Sequence, residues 1–421
     1  MDKLLQFLTE STCEFTALAN LEELLKTSGF TKLEPSNDWT LKNGGVYYLT
    51  TGQSALIAFK IGLKFDCGGY NVVATHLDSP NLKLKPNGLI GVDKFTMANT
   101  EVYGGAILDS WFDTPLGLAG RIVVKENSKL QIKIVDAKKD LFVIPRIAPH
   151  LKKDVVINPQ KDLLPLVSLK KQNDTKALIS EIFKLNKEDI VSFDLSLYNR
   201  AKASIVGVDN DLISSPRLDN LECTYLGLNA LLESNPNDAK VNVFVAFNNE
   251  EVGSSTAEGA LSNLLHDVLF RISGDEINYQ KNLSQSVMIS ADNAHAVHPN
   301  YLELADPTNK VYMNEGVVLK HNANKRYTTD AVGDAIISSL CEANKIPYQH
   351  YTNRSDQRGG STLGCLSLTK VSIKTVDIGL SQLAMHSSLE LAGAKDATYM
   401  LNLLKAFYNS NYQNKNDEFL L

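Results

Sequence analysis

The chain has 421 residues, 43% hydrophobic and 21% charged, with a formal net charge of −6. That length accommodates two domains with their own cores, and the acidic balance argues against a nucleic-acid surface. No run of roughly 18 apolar residues occurs, so no membrane span is expected. Five cysteines without a C-x-x-C spacing argue against a disulfide framework or a thiolate zinc site.

The N-terminal stretch from Met1 to Phe7 has one lysine and no long apolar segment, so a cytoplasmic protein is expected. Leu4, Leu5 and Leu8, then Leu18, Leu21, Leu24 and Leu25, recur at helical spacing, and Gly29 is a plausible stop. Val46–Thr50, Ser54–Phe59 and Asn71–Thr75 read as strands, the last delivering His76 at its end. From about 82 to 208 the pattern changes to short alternating segments, which predicts a β-rich insert. Within it, Pro159 to Asp189 is rich in lysine and aspartate and reads as a solvated surface excursion. From 209 onward strand and helix alternate. Leu221–Leu232 reads as a helix, Val241–Phe247 and Ser286–Ser290 as buried parallel strands, and Ala331–Ala343 as a helix. Val371–Ile378 reads as a strand and Ala394–Phe407 as a helix, followed by a polar, frayed tail from Asn409 to Phe419. The simplest architecture is an α/β domain, residues 1–81 and 209–421, split by a β-rich insert, 82–208.

The chemistry concentrates at the ends of those strands. Glu250 and Glu251 follow the apolar run Val241–Phe247, and two adjacent carboxylates there are costly unless a cation or proton lies between them. Asp292 repeats the pattern after Val287–Ala291, and strand C-terminal ends are where open α/β sheets bind ligands. His76 and Asp78 form an H-x-D pair in which the aspartate is placed to orient the imidazole. Taken singly, each residue has a plain structural alternative. Asp219 precedes a helix and would serve as an N-cap; His76 and His386 would be satisfied histidines; the glutamate pair would be a solvated loop. Together, His76, Asp219, Glu251, Asp292 and His386, with Glu250 to spare, form a nitrogen and oxygen donor set suited to zinc, cobalt or manganese.

These residues sit in the strings His76-Leu77-Asp78-Ser79-Pro80, Ser215-Pro216-Arg217-Leu218-Asp219-Asn220, Asn249-Glu250-Glu251-Val252-Gly253-Ser254, Ser290-Ala291-Asp292-Asn293-Ala294-His295 and Gln382-Leu383-Ala384-Met385-His386-Ser387. In them the chain resembles the aspartyl aminopeptidase family of dizinc exopeptidases over nearly its whole length. The resemblance implies a zinc-exopeptidase α/β/α fold with an inserted β dimerisation domain, and homo-oligomers that reach a dodecamer. It implies two divalent ions, zinc foremost, bridged by Asp219, with His76 and Asp292 completing one shell and Glu251 and His386 the other. Glu250 would be the general base and acid, and Asp78 would support His76. His150, otherwise a loop histidine, matches the position from which a neighbouring subunit reaches the active site. Lys320, Lys325 and Arg326 fall in the tract Val318–Tyr327 that contacts substrate, and Gly360 and Ser361 in a separate substrate-facing loop of small residues. His295 is a further substrate contact, and Asp356 would anchor the substrate amino group. Peptides with an acidic N-terminal residue are the implied substrates. At the position where acidic-specific members carry lysine, however, this chain has Asn324. A neutral or broad aminopeptidase, or a non-catalytic assembly or cargo shell, are the alternatives.

Overall fold

The structure, a computed structural model, describes residues 1–151, 156–415 and 418–420. Two helices, α1 (Asp2–Glu10) and α2 (Glu14–Thr27), form where the leucine spacing predicts one. The break comes at Ser11–Cys13, where the Thr16 hydroxyl accepts from the Cys13 N–H at 3.0 Å and starts a second helix. Strands β1 (Thr31–Lys32), β2 (Val46–Thr51), β3 (Ala55–Ile61) and β4 (Tyr70–His76) follow. The insert then contributes β5 (Asn81–Val92), β6 (Phe95–Tyr103), β7 (Leu116–Glu126), β8 (Lys129–Asp136), α3 (Pro159–Asp162), β9 (Leu166–Ser168), α4 (Thr175–Phe183) and β10 (Ile190–Asn199). Short strands β11 (Ser204–Val206) and β12 (Leu212–Ser215) return the chain to α5 (Leu218–Glu233) and β13 (Val241–Phe247). After α6 (Leu264–Ser273) and α7 (Glu276–Ser284) come β14 (Val287–Ala291), β15 (Ala294–His295) and β16 (Val317–His321). The chain continues through α8 (Ala331–Ala343), β17 (Tyr348–Thr352), α9 (Leu363–Ser367), β18 (Lys374–Gly379), β19 (Ser381–Leu383), β20 (Glu390–Gly393) and α10 (Asp396–Asn409).

A nine-stranded sheet in the order β1-β2-β3-β13-β4-β14-β18-β16-β17 organises the first and last thirds of the chain. Its centre, β13-β4-β14-β18, is parallel throughout, with Phe247 opposite His76 and Ile289 opposite Val73. Every residue of β4, β13 and β14 is buried, because helices cover both faces. One face carries Val73, Phe244 and Ile289 into a core with α1, α2, α5, α8 and α10; the other carries Val72, Val245 and Met288 against α6, α7 and α9. Three of the four parallel strands therefore end, at their C-termini, beside one another and beside the start of α5.

The insert forms a six-stranded sheet, β8-β7-β10-β5-β6-β9, around its own core of Leu82, Ile122, Leu195 and Leu197. The tract 159–189 is mostly exposed or half-buried, as its lysines suggest, but it carries a helix that packs on the insert. Asp174 caps α4 by accepting from the Ala177 N–H at 2.9 Å, and Leu178 and Ile179 bury one face of that helix in or beside this core. Ile179, Ile182 and Phe183 recur at helical spacing among the charges, which is the pattern a composition reading averages away. The described part of the tail is paired rather than frayed. β21 (Gln413–Lys415) pairs with β22 (Glu418–Leu420), and Tyr412 is buried with its ring stacked on Phe419 at 5.6 Å. Among the described residues no helix is long and apolar enough to cross a membrane.

Candidate active site

His76 ends β4, Glu250 and Glu251 form a 3₁₀ turn just past β13, and Asp292 follows β14. Asp219 comes from the opposite side, in the first turn of α5. It is no helix cap: Arg217 occupies the N-cap position, and Asp219 and Asn220 depart from helical dihedrals across a cis peptide bond. His386 lies beyond β19, so five stretches of chain meet at one place.

Asp219 turns one oxygen to each side of this cluster. Its Oδ1 is 3.4 Å from His76 Nε2, which is 3.5 Å from Asp292 Oδ1. Its Oδ2 is 3.7 Å from His386 Nε2, which is 3.2 Å from Glu251 Oε2. Two donor trios, His76–Asp219–Asp292 and Asp219–Glu251–His386, are thus joined by a single carboxylate, and a third group, His76–Glu250–Glu251, brings both glutamates within reach of the His76 imidazole. Both imidazoles are oriented from behind. His76 Nδ1 is 3.0 Å from the Asp78 carbonyl and His386 Nδ1 is 3.1 Å from the Gly105 carbonyl. A carbonyl only accepts, so each Nδ1 carries the proton and each Nε2 offers its lone pair inward.

Asp78 does more than face His76. Its Oδ1 accepts from the Glu250 N–H and its Oδ2 from the Glu251 N–H, both at 3.1 Å, and Oδ2 also accepts from Tyr103 Oη at 2.6 Å. It thereby fixes the glutamate turn to the end of β4. Burial opposes its ionisation, but the bonds from His76 and Tyr103 prevail and hold its carboxyl below the ordinary range.

The electrostatics call for cations. Burial, then the charges of Asp292, Asp219 and Asp78, push Glu250 up to about 8 against the opposing influence of His76. Burial and the charge of Asp219 likewise raise Glu251. Asp219 Oδ1 and Glu251 Oε1 are buried with no hydrogen-bond donor among the described residues. Imidazole nitrogens and unsatisfied carboxylate oxygens at these separations fit divalent ions bound by N and O donors.

Several residues that the sequence leaves unmarked complete the arrangement. Glu390, buried on β20, accepts from the Asp219 N–H at 3.0 Å and from the His386 N–H at 2.8 Å, tying together the backbones of two donors. Tyr103 and Gly105 come from the insert of the same chain. At Gly105 a Cβ would stand 3.2 Å from His386 Nδ1, and at Gly104, with φ +71°, 3.1 Å from Glu251 Cβ. The Gly-Gly dipeptide was the only sequence signal for this close approach.

The expected substrate residues lie differently. Lys320 is buried; its ammonium donates to the carbonyls of Asp292 at 2.6 Å and Asn293 at 3.1 Å and lies 3.6 Å from Asp292 Oδ2. That charge, followed by His76, outweighs burial and holds Asp292 well below the ordinary carboxylate range. Lys320 thus steadies a donor rather than facing open space. Lys325 and Arg326 are exposed on the loop after β16, and Gly360 and Ser361 on the loop before α9. Asp377 on β18 anchors both loops, accepting from Thr328 Oγ1 and Thr362 Oγ1, each at 2.6 Å. Asp356 is exposed and paired with Arg354 at 2.7 Å. His295 lines a cavity of about 290 Å³ with His298, Tyr351, Arg354, Gln382 and Ala384. His150 is exposed in a turn of the insert, with its side chain in none of the contacts described above.

A cluster of imidazole and carboxylate donors beside a buried glutamate whose carboxyl is pushed up, at the C-terminal ends of parallel strands, fits a metal-dependent hydrolase. Comparison with known proteins makes the class specific. The chain belongs to the M18 peptidases: the family described as aminopeptidase I zinc metalloprotease matches residues 7–408. It is thus a zinc metalloprotease of the aminopeptidase class. A probable M18 family aminopeptidase 2 of Clostridium acetobutylicum is 41% identical over 424 residues, covering 97% of this chain and 98% of that one. Its counterpart in Ectopseudomonas mendocina is 37% identical over 419 residues, covering 97% of each. Among solved structures, the Ape4 and Nbr1 complex matches with a TM-score of 0.94 at 33% identity, over 97% of this chain and 85% of that one. The S. cerevisiae mApe1 dodecamer shares the fold, with a TM-score of 0.86 at 22% identity over 97% and 96% of the two chains.

Proposed function

We propose that the enzyme removes one N-terminal residue, preferably aspartate or glutamate, from peptides, using two divalent cations bridged by Asp219. His76 and Asp292 would complete one shell, and Glu251 and His386 the other. The observation that carries this reading is the division of Asp219, one oxygen toward each imidazole Nε2. When bound, the ions would polarise the scissile carbonyl and lower the pKa of water. Glu250, next to the cluster but outside both Asp219 trios, takes the proton of the attacking water and passes it to the leaving amine. A carboxyl pushed up to about 8 is matched to such two-way transfer near neutrality. Asp78 and Glu390 hold the donors in place.

The acidic preference is supported by the family resemblance and by the exposed cations Lys325 and Arg326. A second reading, neutral or broad specificity, is favoured by the burial of Lys320 against backbone carbonyls and by Asn324 in the same tract. A homo-oligomer, built from dimers into a dodecamer, is supported by the dodecameric mApe1 of the same fold. The test is a panel of Asp-, Glu-, Leu- and Ala-aminoacyl substrates on enzyme that has been chelated and then reloaded with zinc, cobalt or manganese. Cleavage lost on chelation and restored by metal, fastest on Asp or Glu, is expected. Full cleavage by metal-free protein would sink the mechanism, and faster turnover on Leu or Ala would sink the acidic preference.

A further inference from the structure

A second cluster of metal-binding side chains lies outside the catalytic centre, at the far edge of the nine-stranded sheet. His321 ends β16, His350 lies on the edge strand β17, and Asp334 sits in the first turn of α8. β16 and β17 pair in parallel with Leu319 opposite His350, so His321 and His350 are diagonal neighbours on one sheet face. Their ring centroids are 5.4 Å apart. Asp334 reaches down from α8 between them: its Oδ2 is 3.0 Å from His321 Nε2 and 3.2 Å from His350 Nε2. All three side chains retain access to solvent, at 27%, 22% and 42% exposure for His321, Asp334 and His350.

Hydrogen bonding alone accounts poorly for this arrangement. His350 Nε2 keeps a 3.3 Å bond to Asp334 Oδ1, but His321 Nε2 is buried without a hydrogen-bond partner among the described residues even though the carboxylate is 3.0 Å away. Its ring N–H direction therefore misses the oxygen. Two imidazolium rings this close would also repel each other, so charging both to satisfy one aspartate is disfavoured. A cation resolves both difficulties. Donors about 2.0–2.1 Å from a tetrahedral zinc lie about 3.3 Å from one another, close to the separations found here.

We infer that His321, Asp334 and His350 form a further metal site, separate from the catalytic centre, for a borderline divalent ion such as zinc, nickel or copper. Two imidazoles and one carboxylate are the donor chemistry these ions prefer, and solvent supplies the remaining position. The site joins an edge strand, its neighbour and a covering helix. Its ion would clamp both ends of the 322–330 loop, which starts after His321 and ends at Asp330, the residue that caps α8. That loop holds Lys325 and Arg326, and Tyr327, whose ring lies 5.2 Å from the Lys320 ammonium. The role is structural: it sets the shape of a loop beside the catalytic centre.

The test is a metal count on the full-length holoenzyme, loaded with zinc and passed through a desalting column, for the wild type, His350→Ala and the His321→Ala/His350→Ala double variant. Both variants are expected to hold one zinc equivalent per chain fewer than the wild type. Copper(II) added to the zinc-loaded wild type should give an electron paramagnetic resonance signal split by two imidazole nitrogens, absent from both variants. His350 is at the surface, so His350→Gln provides a second variant whose folding is not at risk. Equal zinc content in wild type and all variants, with no nitrogen-split copper signal, would overturn the site. Asp219→Asn should leave that copper signal unchanged, which keeps the result independent of the catalytic centre.

Discussion

Burial gives the single residues at this centre their chemistry. Glu250 and Glu251 are adjacent but face different neighbours: Glu251 aims at His386 Nε2, while Glu250 stands outside both trios on Asp219, beside His76. Glu250→Gln preserves shape and removes the proton carrier. It is expected to retain the bound metal and lose about 10²–10⁴-fold in turnover, read as kcat beside elemental analysis. Wild-type kcat at full metal occupancy would remove Glu250 from the reaction. Glu390 accepts from the backbone N–H groups of Asp219 and His386 and so holds both in place. Glu390→Ala should therefore weaken metal binding or activity by about 10–100-fold, as expected for a group that orients ligands. Competition with a chelator of known affinity measures it, and an unchanged metal affinity would reduce Glu390 to a packing residue.

At the scale of elements, α5 carries both the shared donor and an unusual buried acid. Glu222 is fully buried with neither oxygen hydrogen-bonded among the described residues, and burial, then the charge of Asp396, pushes it up to about 8 from 4.5. Between those values the unfolded chain releases a proton that the folded chain retains. Its contribution to stability is thus complete below about pH 4.5 and is lost as pH rises through 8, at up to about 1.4 kcal/mol per pH unit. Glu222→Gln should flatten this dependence and melt higher than the wild type at pH 8 to 9, with little difference near pH 5. Parallel melting curves across that range would contradict it. The central elements were legible in sequence because strands covered on both faces read as unbroken apolar runs, as Val241–Phe247 and Val287–Ala291 do. Their ends then marked His76, Glu250, Glu251 and Asp292. Glu390, Tyr103 and Gly105 were not legible, because what matters about them is a contact across the chain and no local pattern encodes it. Lys320 was legible only in part for a related reason: the sequence marks a cation, and only the fold reveals the two carbonyls that receive it.

At the scale of the whole molecule, the insert is joined to the catalytic sheet through the site itself. Tyr103 donates to Asp78, the Gly105 carbonyl holds His386, and Asn199 donates to Ser388 at 3.1 Å. Any force on the insert, including assembly with another subunit, is therefore transmitted to the donors. His150 lies on the same insert, but its turn is exposed and it meets no catalytic residue of its own chain described here. If it acts in catalysis, it acts on a neighbour, as a donor to the developing oxyanion. Subunits with His150→Ala keep the donors and Glu250; subunits with Glu250→Gln keep His150. Each alone should be nearly inactive. Mixed and reassembled in equal amounts, about half of the sites have an intact Glu250 and about half of those face an intact His150, so roughly a quarter of wild-type activity should return. Recovery must track co-assembly, followed by native mass, and vanish on dilution to single chains. Co-assembly without recovery would confine catalysis to one chain and leave the insert a purely architectural part.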